Sequence, residues 1–139
     1  IAGVKAHVAA DLRTVLAQAP TKVLIVDTPT AVELWRLRLQ EHYGTRLAIS
    51  RSKPRFIEIM APGVSKAAAL AHVASTLGIK REQVMAIGDS LNDLEMLNWA
   101  GISVAVGNAD PEVKARVDYV TARHDADGIA QAIRHFILD

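Results

Sequence analysis

Apolar residues in this chain come in short runs separated by polar, Gly- and Pro-marked breaks. Residues 7–18 place Val8, Leu12, Val15 and Leu16 on one side of a helical wheel and predict a helix. Val23-Leu24-Ile25-Val26 is a largely β-branched run and predicts a strand. Pro29 suits the first turn of the next helix, with Thr28 as its cap, and Gly44 closes that helix after Tyr43. Leu47-Ala48-Ile49 and Phe56-Ile57-Glu58-Ile59-Met60 predict two strands, split by the polar turn Ser50-Arg51-Ser52-Lys53-Pro54.

Pro62-Gly63 marks a boundary, and the rhythm beyond it is regular. Ser65 caps a helix ending near Gly78, and the apolar run Val84-Met85-Ala86-Ile87 follows as a buried strand. A helix through about Trp99, stopped by Gly101, leads to the strand Ser103-Val104-Ala105-Val106. Pro111 opens a short helix, Tyr119-Val120-Thr121 is a strand, and residues 126–137 form the last helix. Strands alternating with helices predict βαβ units, hence an α/β fold with a parallel sheet covered on both faces. Three core strands are few for a doubly wound sheet. Together with a start at Ile1 in mid-pattern, this leads us to expect part of a longer protein.

Composition narrows the function classes. Sixteen basic and fifteen acidic residues give a net charge of +1, so no nucleic-acid footprint is expected. No apolar run approaches the length of a membrane span. The absence of cysteine excludes disulfides, thiolate metal sites and thiol nucleophiles, and fits a cytoplasmic protein.

The polar cluster Gly88-Asp89-Ser90-Leu91-Asn92-Asp93 follows strand 84–87 directly. Ligands of open α/β sheets bind at such carboxyl ends. Two carboxylates and an amide make a hard, oxygen-rich corner suited to Mg²⁺ and phosphate. Asp and Asn are also ordinary capping and loop residues, so the cluster alone is not diagnostic.

Four blocks in one order sharpen the reading. They are Gly63-Val64-Ser65-Lys66, the stretch Gly88-Asp89 through Leu94-Glu95-Met96, Val106-Gly107-Asn108-Ala109, and Asp118-Tyr119-Val120-Thr121 to Asp127-Gly128-Ile129. In this order and spacing they resemble the C-terminal half of a haloacid-dehalogenase-superfamily phosphatase of the Cof type. Residues 21–60 resemble the end of that family's α/β cap. The resemblance implies a division into residues 1–61, the C-terminal part of the cap, and 62–139, the C-terminal part of a Rossmann-like hydrolase core. It implies catalytic and phosphate-binding roles for Lys66, a phosphate contact for Asn92, direct Mg²⁺ ligation by Asp89 and a supporting role for Asp93 behind the metal or Lys66. Ala67 stands where the family usually has Gly, which favours the helix and leaves Lys66 in place. Asn108 is expected either to line the pocket or to cap the helix opened by Pro111. Arg51, Lys53 and Arg55 are candidates for facing the pocket, with solvation of a basic turn as the ordinary alternative.

Members of this family attack phosphorus with the first Asp of a D-x-D-x-T pattern, and no such pattern occurs here. Asp27, at the end of strand 23–26, imitates it, but Pro29 occupies the general-acid position two residues on. The expected function is therefore Mg²⁺-dependent hydrolysis of a small phosphorylated metabolite, such as a sugar phosphate, through an aspartyl phosphate. Nucleophile and general acid would come from a missing N-terminal half of the same protein. The alternatives are an inactive fragment or binding module, and a phosphosugar mutase of the same fold.

Overall fold

The computed structural model describes residue 5 and residues 7–138. Two three-stranded sheets organise the chain. The first is antiparallel, in the order β1 (Val23–Val26), β3 (Phe56–Met60), β2 (Ala48–Lys53). Helix α1 (Pro29–Tyr43) begins where the Thr28 hydroxyl accepts the Ala31 N–H at 3.3 Å and Pro29 needs no donor. It ends at Gly44, whose φ of 54° lies in the left-handed half of the map. Val32 of α1 and Ile57 of β3 are fully buried and join helix to sheet.

The second sheet is parallel, in the order β4 (Met85–Gly88), β5 (Ile102–Ala105), β6 (Tyr119–Val120). A turn at residues 61–64, held by the Val64 N–H to the Ala61 carbonyl, leads from the antiparallel sheet into α2 (Lys66–Thr76). Ser65 caps α2 through the Ala68 N–H at 3.2 Å. Helices α3 (Leu94–Trp99), α4 (Pro111–Lys114) and α5 (Gly128–Ile133) follow their strands. The core consists mainly of small side chains: Ala86, Ala100, Ala105, Val106, Ala109 and Val113 around Leu97. Central strand β5 buries Ser103, Val104 and Ala105, as expected of a parallel strand covered on both sides. Ser103 is tolerated there because its hydroxyl and N–H both donate to Asp118, at 2.6 and 2.8 Å, tying β5 to the approach to β6.

The elements differ from the sequence expectation in four places. Residues 7–18 do not form a helix. A single 3₁₀ turn, Leu12–Thr14, is held by Asp11, and Val8, Leu12, Val15 and Leu16 are all exposed. An amphipathic stripe stabilises a short helix only when it is buried against a surface, and these four side chains are not buried against the other described residues. The polar turn expected at 50–54 shrinks to Pro54-Arg55, because Ser50 and Lys53 pair with β3 across a register shift. Such a shift lets polar residues join a ladder while bending it. The helix expected to run directly to Trp99 opens with a separate 3₁₀ turn, Leu91–Asp93. The last helix starts at Gly128 rather than 126, after Asp127 takes a left-handed φ of 56°, and continues as a π turn through Leu138. No helix among the described residues is long and apolar enough to cross a membrane.

Gly128 is the tightest point of the fold. A Cβ there would lie 2.0 Å from the Ala122 carbonyl oxygen, while its own carbonyl accepts the buried Thr121 hydroxyl at 2.7 Å. Backbone cannot retreat from such a contact as a flexible side chain could. Gly128→Ala is expected to destabilise the chain by about 3 kcal/mol, the upper end for overpacking. Urea unfolding checks this, and a loss below about 1 kcal/mol would show that the loop at 122–128 is less constrained than described.

Candidate active site

Strand β4 runs out at Gly88, and the chain turns at once into the 3₁₀ turn Leu91–Asp93. The turn is tight enough to bring the Asp93 side chain against Gly88. A Cβ on Gly88 would lie 2.7 Å from the Asp93 Cβ, so glycine is required for the approach. Asp93 Oδ2 then accepts the N–H groups of Asp89 and Ser90, both at 3.1 Å. Its Oδ1 pairs with the Lys66 ammonium. The first residue of α2 thus meets the end of β4 across 27 positions of sequence.

Asp93 is 3% exposed. Burial pushes its carboxyl pKa up, but the Lys66 ammonium and the two backbone N–H groups outweigh burial and hold the pKa below the ordinary carboxylate value. Lys66 stays half-exposed, with its charge spent on Asp93 yet still reachable from the cleft.

Asp89 is exposed, and its backbone is fixed from both sides. Its N–H donates to Asp93, and its carbonyl accepts the Asp110 N–H at 2.9 Å. Among the described residues its carboxylate makes neither a hydrogen bond nor an ion pair. Asn92 presents a different signal: its Oδ1 is buried without a partner. An orphaned acceptor of this kind is costly and calls for a cation or a donor, while the NH₂ end of the same amide can donate to an anion.

No group of three or more His, Asp or Glu side chains among the described residues could enclose a metal. What is present fits part of an open Mg²⁺ site: one free carboxylate at a strand end, with Asp93 committed behind it. Mg²⁺ typically takes one or two carboxylates and completes its octahedron with waters and phosphate oxygens.

Adjoining clefts border these groups; one, of about 300 Å³, is lined by Gly88, Asp89 and Asn108 among others. The largest, about 780 Å³, lies between α1–β2 and α2–α3, and Arg36, Ser50, Arg51, Lys66, Asn92 and Glu95 are among its walls. The second, about 520 Å³, sets Lys22, Lys53, Phe56 and Glu58 across from Lys66, Asp89 and Asn92. The third, about 280 Å³, lies between the β2–β3 hairpin and Asp89, Asn108 and Asp110.

The structure thus brings Lys66, Asp89, Asn92 and Asp93 to one corner. Arg51 and Lys53 line the clefts, but Arg55 does not join them in those walls; its Nε donates to the Asp27 carbonyl at 3.1 Å. Asn108 does line the smallest cleft, and its Oδ1 accepts the His124 N–H at 2.9 Å. It is not the cap of α4, which is Asp110, through the Glu112 N–H. Asp27 sits at the end of a strand in the antiparallel sheet, its carboxylate taken by the Thr28 N–H at 2.7 Å. Sequence reasoning missed Lys22, Arg36 and Glu58. They carry no motif and reach the clefts only because α1 and the antiparallel sheet fold over the end of β4.

A family model described as haloacid dehalogenase-like hydrolase matches residues 5–133. Over 92 residues, 66% of the chain and 37% of the relative, it is 52% identical to a 5-amino-6-(5-phospho-D-ribitylamino)uracil phosphatase of Bacillus subtilis. A haloacid dehalogenase-like hydrolase from B. subtilis superposes with a TM-score of 0.81 at 30% identity, covering 91% of this chain and 45% of that one. A subclass IIB sugar phosphatase of the same superfamily superposes at 0.72 and 36% identity, over 83% of this chain and 42% of that one. The chain spans less than half the length of the relatives it matches. With a parallel sheet whose strand end carries the Lys66–Asp93 couple, and with these matches over most of its length, the chain belongs to the haloacid dehalogenase-like hydrolase family and is similar within it to the Cof-type sugar phosphatases.

Proposed function

We infer that this chain carries the metal- and phosphate-holding side of a Mg²⁺-dependent phosphatase acting on a small phosphorylated metabolite of the sugar-phosphate type. One observation carries the reading: a free carboxylate, an amide whose oxygen is buried without a partner, and a half-exposed ammonium are held together at a parallel strand's carboxyl end. Asp89 would be the protein ligand to Mg²⁺, which when bound neutralises phosphate charge and so favours attack by an anionic nucleophile. Lys66 offsets charge on the phosphoryl oxygens, and the Asn92 NH₂ donates to one of them. Asp93 touches neither; it fixes the Lys66 ammonium and, through the Asp89 and Ser90 N–H groups, the backbone from which Asp89 projects. The attacking Asp and the general acid would be supplied by polypeptide other than the residues described here, forming and then hydrolysing an aspartyl phosphate. The similarity to a sugar phosphatase supports the substrate class, and the absence of D-x-D-x-T supports a second source for the nucleophile.

Three measurements test this reading. With p-nitrophenyl phosphate and Mg²⁺, the chain alone is expected to show no turnover; robust turnover abolished by Asp27→Asn would place the nucleophile within this chain and overturn the division. In ¹H–¹⁵N spectra, Mg²⁺ titration is expected to shift the amides of residues 88–93 in the chain and not in Asp89→Asn. Equal shifts in both would remove Asp89 as the ligand.

The third measurement uses acid. The Asp93 pKa is lowered by folding, so the couple's stabilisation is present in full above about pH 4, the unfolded-state value. It disappears as pH falls through the lower folded-state value. Lys66→Met leaves two N–H groups to oppose burial, so the Asp93 pKa rises and the acid-unfolding midpoint moves to higher pH. At neutral pH the loss should be about 1–2 kcal/mol, moderated because Lys66 is half-exposed. An unchanged acid midpoint by circular dichroism would mean that the ion pair does not hold the corner.

A further inference from the structure

The loops after β4 and β5 are joined at the backbone. The Val106 N–H donates to the Gly88 carbonyl at 3.3 Å, and the Asp110 N–H donates to the Asp89 carbonyl at 2.9 Å. Val106 and Ala109 are buried on either side of Asn108, which is itself half-buried on this anchored loop. Its Oδ1 accepts the His124 N–H at 2.9 Å. Only the oxygen of a carboxamide can receive a backbone N–H, so this bond settles which way round the amide lies. The NH₂ end is left over, and among the described residues it donates to no protein acceptor.

Asp89 and Asn108 line two clefts together. The cleft of about 300 Å³ is otherwise walled by Ile87, Gly88, Val106, His124 and Ile129, so Asp89 supplies its one carboxylate. The cleft of about 280 Å³ also carries Asp110, whose carboxylate is taken up in capping α4. Arg51 and Lys53 reach that cleft from the facing hairpin and offer no acceptor. Asn108, in contrast, is fixed to the same sheet as Asp89 by the loop bonds above. The carboxylate that both clefts share with the spare NH₂ group is that of Asp89.

We propose that Asn108 is a positioning residue for the metal corner: its NH₂ group donates to the Asp89 carboxylate and holds that side chain ready for Mg²⁺. The proposal rests on the reading of Asp89 as the Mg²⁺ ligand given above. A carboxylate has two oxygens, so one can accept from Asn108 while the other faces the ion. A ligand already oriented by a fixed donor has less freedom to lose when the ion arrives. Hydrogen-bond partners behind a metal ligand typically raise metal affinity by about 10–100-fold. Asp93 fixes the backbone of Asp89 through its N–H. Asn108 fixes its side chain, and the bond from the His124 N–H keeps the carboxamide from turning over.

Mg²⁺ titration of the chain, followed in ¹H–¹⁵N spectra, tests this. The backbone amides of residues 88–93 report binding, and the side-chain NH₂ pair of Asn108 reports the contact. Asn108→Ala should weaken Mg²⁺ binding about tenfold. Thr121→Val removes the hydroxyl bond to the Gly128 carbonyl and so loosens the loop at 122–128 without touching the carboxamide; it should leave the Mg²⁺ affinity unchanged. In the parent chain the Asn108 NH₂ signals should move along the same binding curve as the backbone amides, a readout that needs no variant to fold. Unchanged affinity in Asn108→Ala, an equal loss in Thr121→Val, or NH₂ signals that ignore Mg²⁺ while the amides of 88–93 shift would overturn the positioning role and leave Asp89 as the ligand. If those amides do not shift in the parent chain, the Mg²⁺ reading falls and the positioning role falls with it.

Discussion

The pairing of Lys66 with Asp93 organises this protein. It crosses from the start of α2 to the first turn after β4, so a single contact fixes the relation between two elements far apart in sequence. Its energetic basis is asymmetric. Asp93 is almost wholly buried, and an uncompensated charge there would be expensive. The ammonium and the Asp89 and Ser90 N–H groups together offset that cost and keep the carboxylate ionised. The same bonds shape the backbone from which Asp89 projects, so structure and proposed chemistry share one set of interactions.

Around that couple the molecule relies on close backbone approaches more than on large side chains. Gly88 is the one residue that lets Asp93 fold back, and Gly128 accommodates the Ala122 carbonyl where a methyl group could not fit. The parallel core is rich in alanine and valine, which lets short helices sit close to a three-stranded sheet. Close packing of small residues leaves little room for adjustment. It holds the loops after β4 and β5 in register, as the Asp110 N–H to the Asp89 carbonyl illustrates.

The antiparallel sheet contributes in another way. Its hairpin and α1 form the walls opposite the strand-end cluster and supply Lys22, Arg36, Arg51, Lys53, Phe56 and Glu58 to the clefts. Lys22 and Glu58 pair with each other, and Arg36 pairs with Glu33 of its own helix. In the proposed function the corner at β4 holds the phosphoryl group, and the facing wall stands where the group attached to the phosphate would lie.

Much of this was legible in the sequence. Strand runs, the Thr28 and Ser65 caps, the Gly44 stop and the cluster from Gly88 to Asp93 depend on local propensities and short spacings, which a linear reading captures. The helix expected at residues 7–18 failed for the opposite reason: periodicity describes a face and does not supply a surface to bury it. Asn108 could not be assigned between lining and capping until Asp110 was seen to cap α4. Sequence by itself determined the α/β class and the order of elements from β1 onward, because those follow from local propensities, while its resemblance to a known family singled out Lys66, Asp89, Asn92 and Asp93 as candidates. Only tertiary structure decided that Asp93 is the partner of Lys66, that the Asn92 oxygen is orphaned, and that Arg51 and Lys53 face Asp89 whereas Arg55 is held elsewhere. Each of these depends on which distant segments share a volume, and side-chain partners, burial and electrostatics are properties of that shared volume rather than of neighbours along the chain.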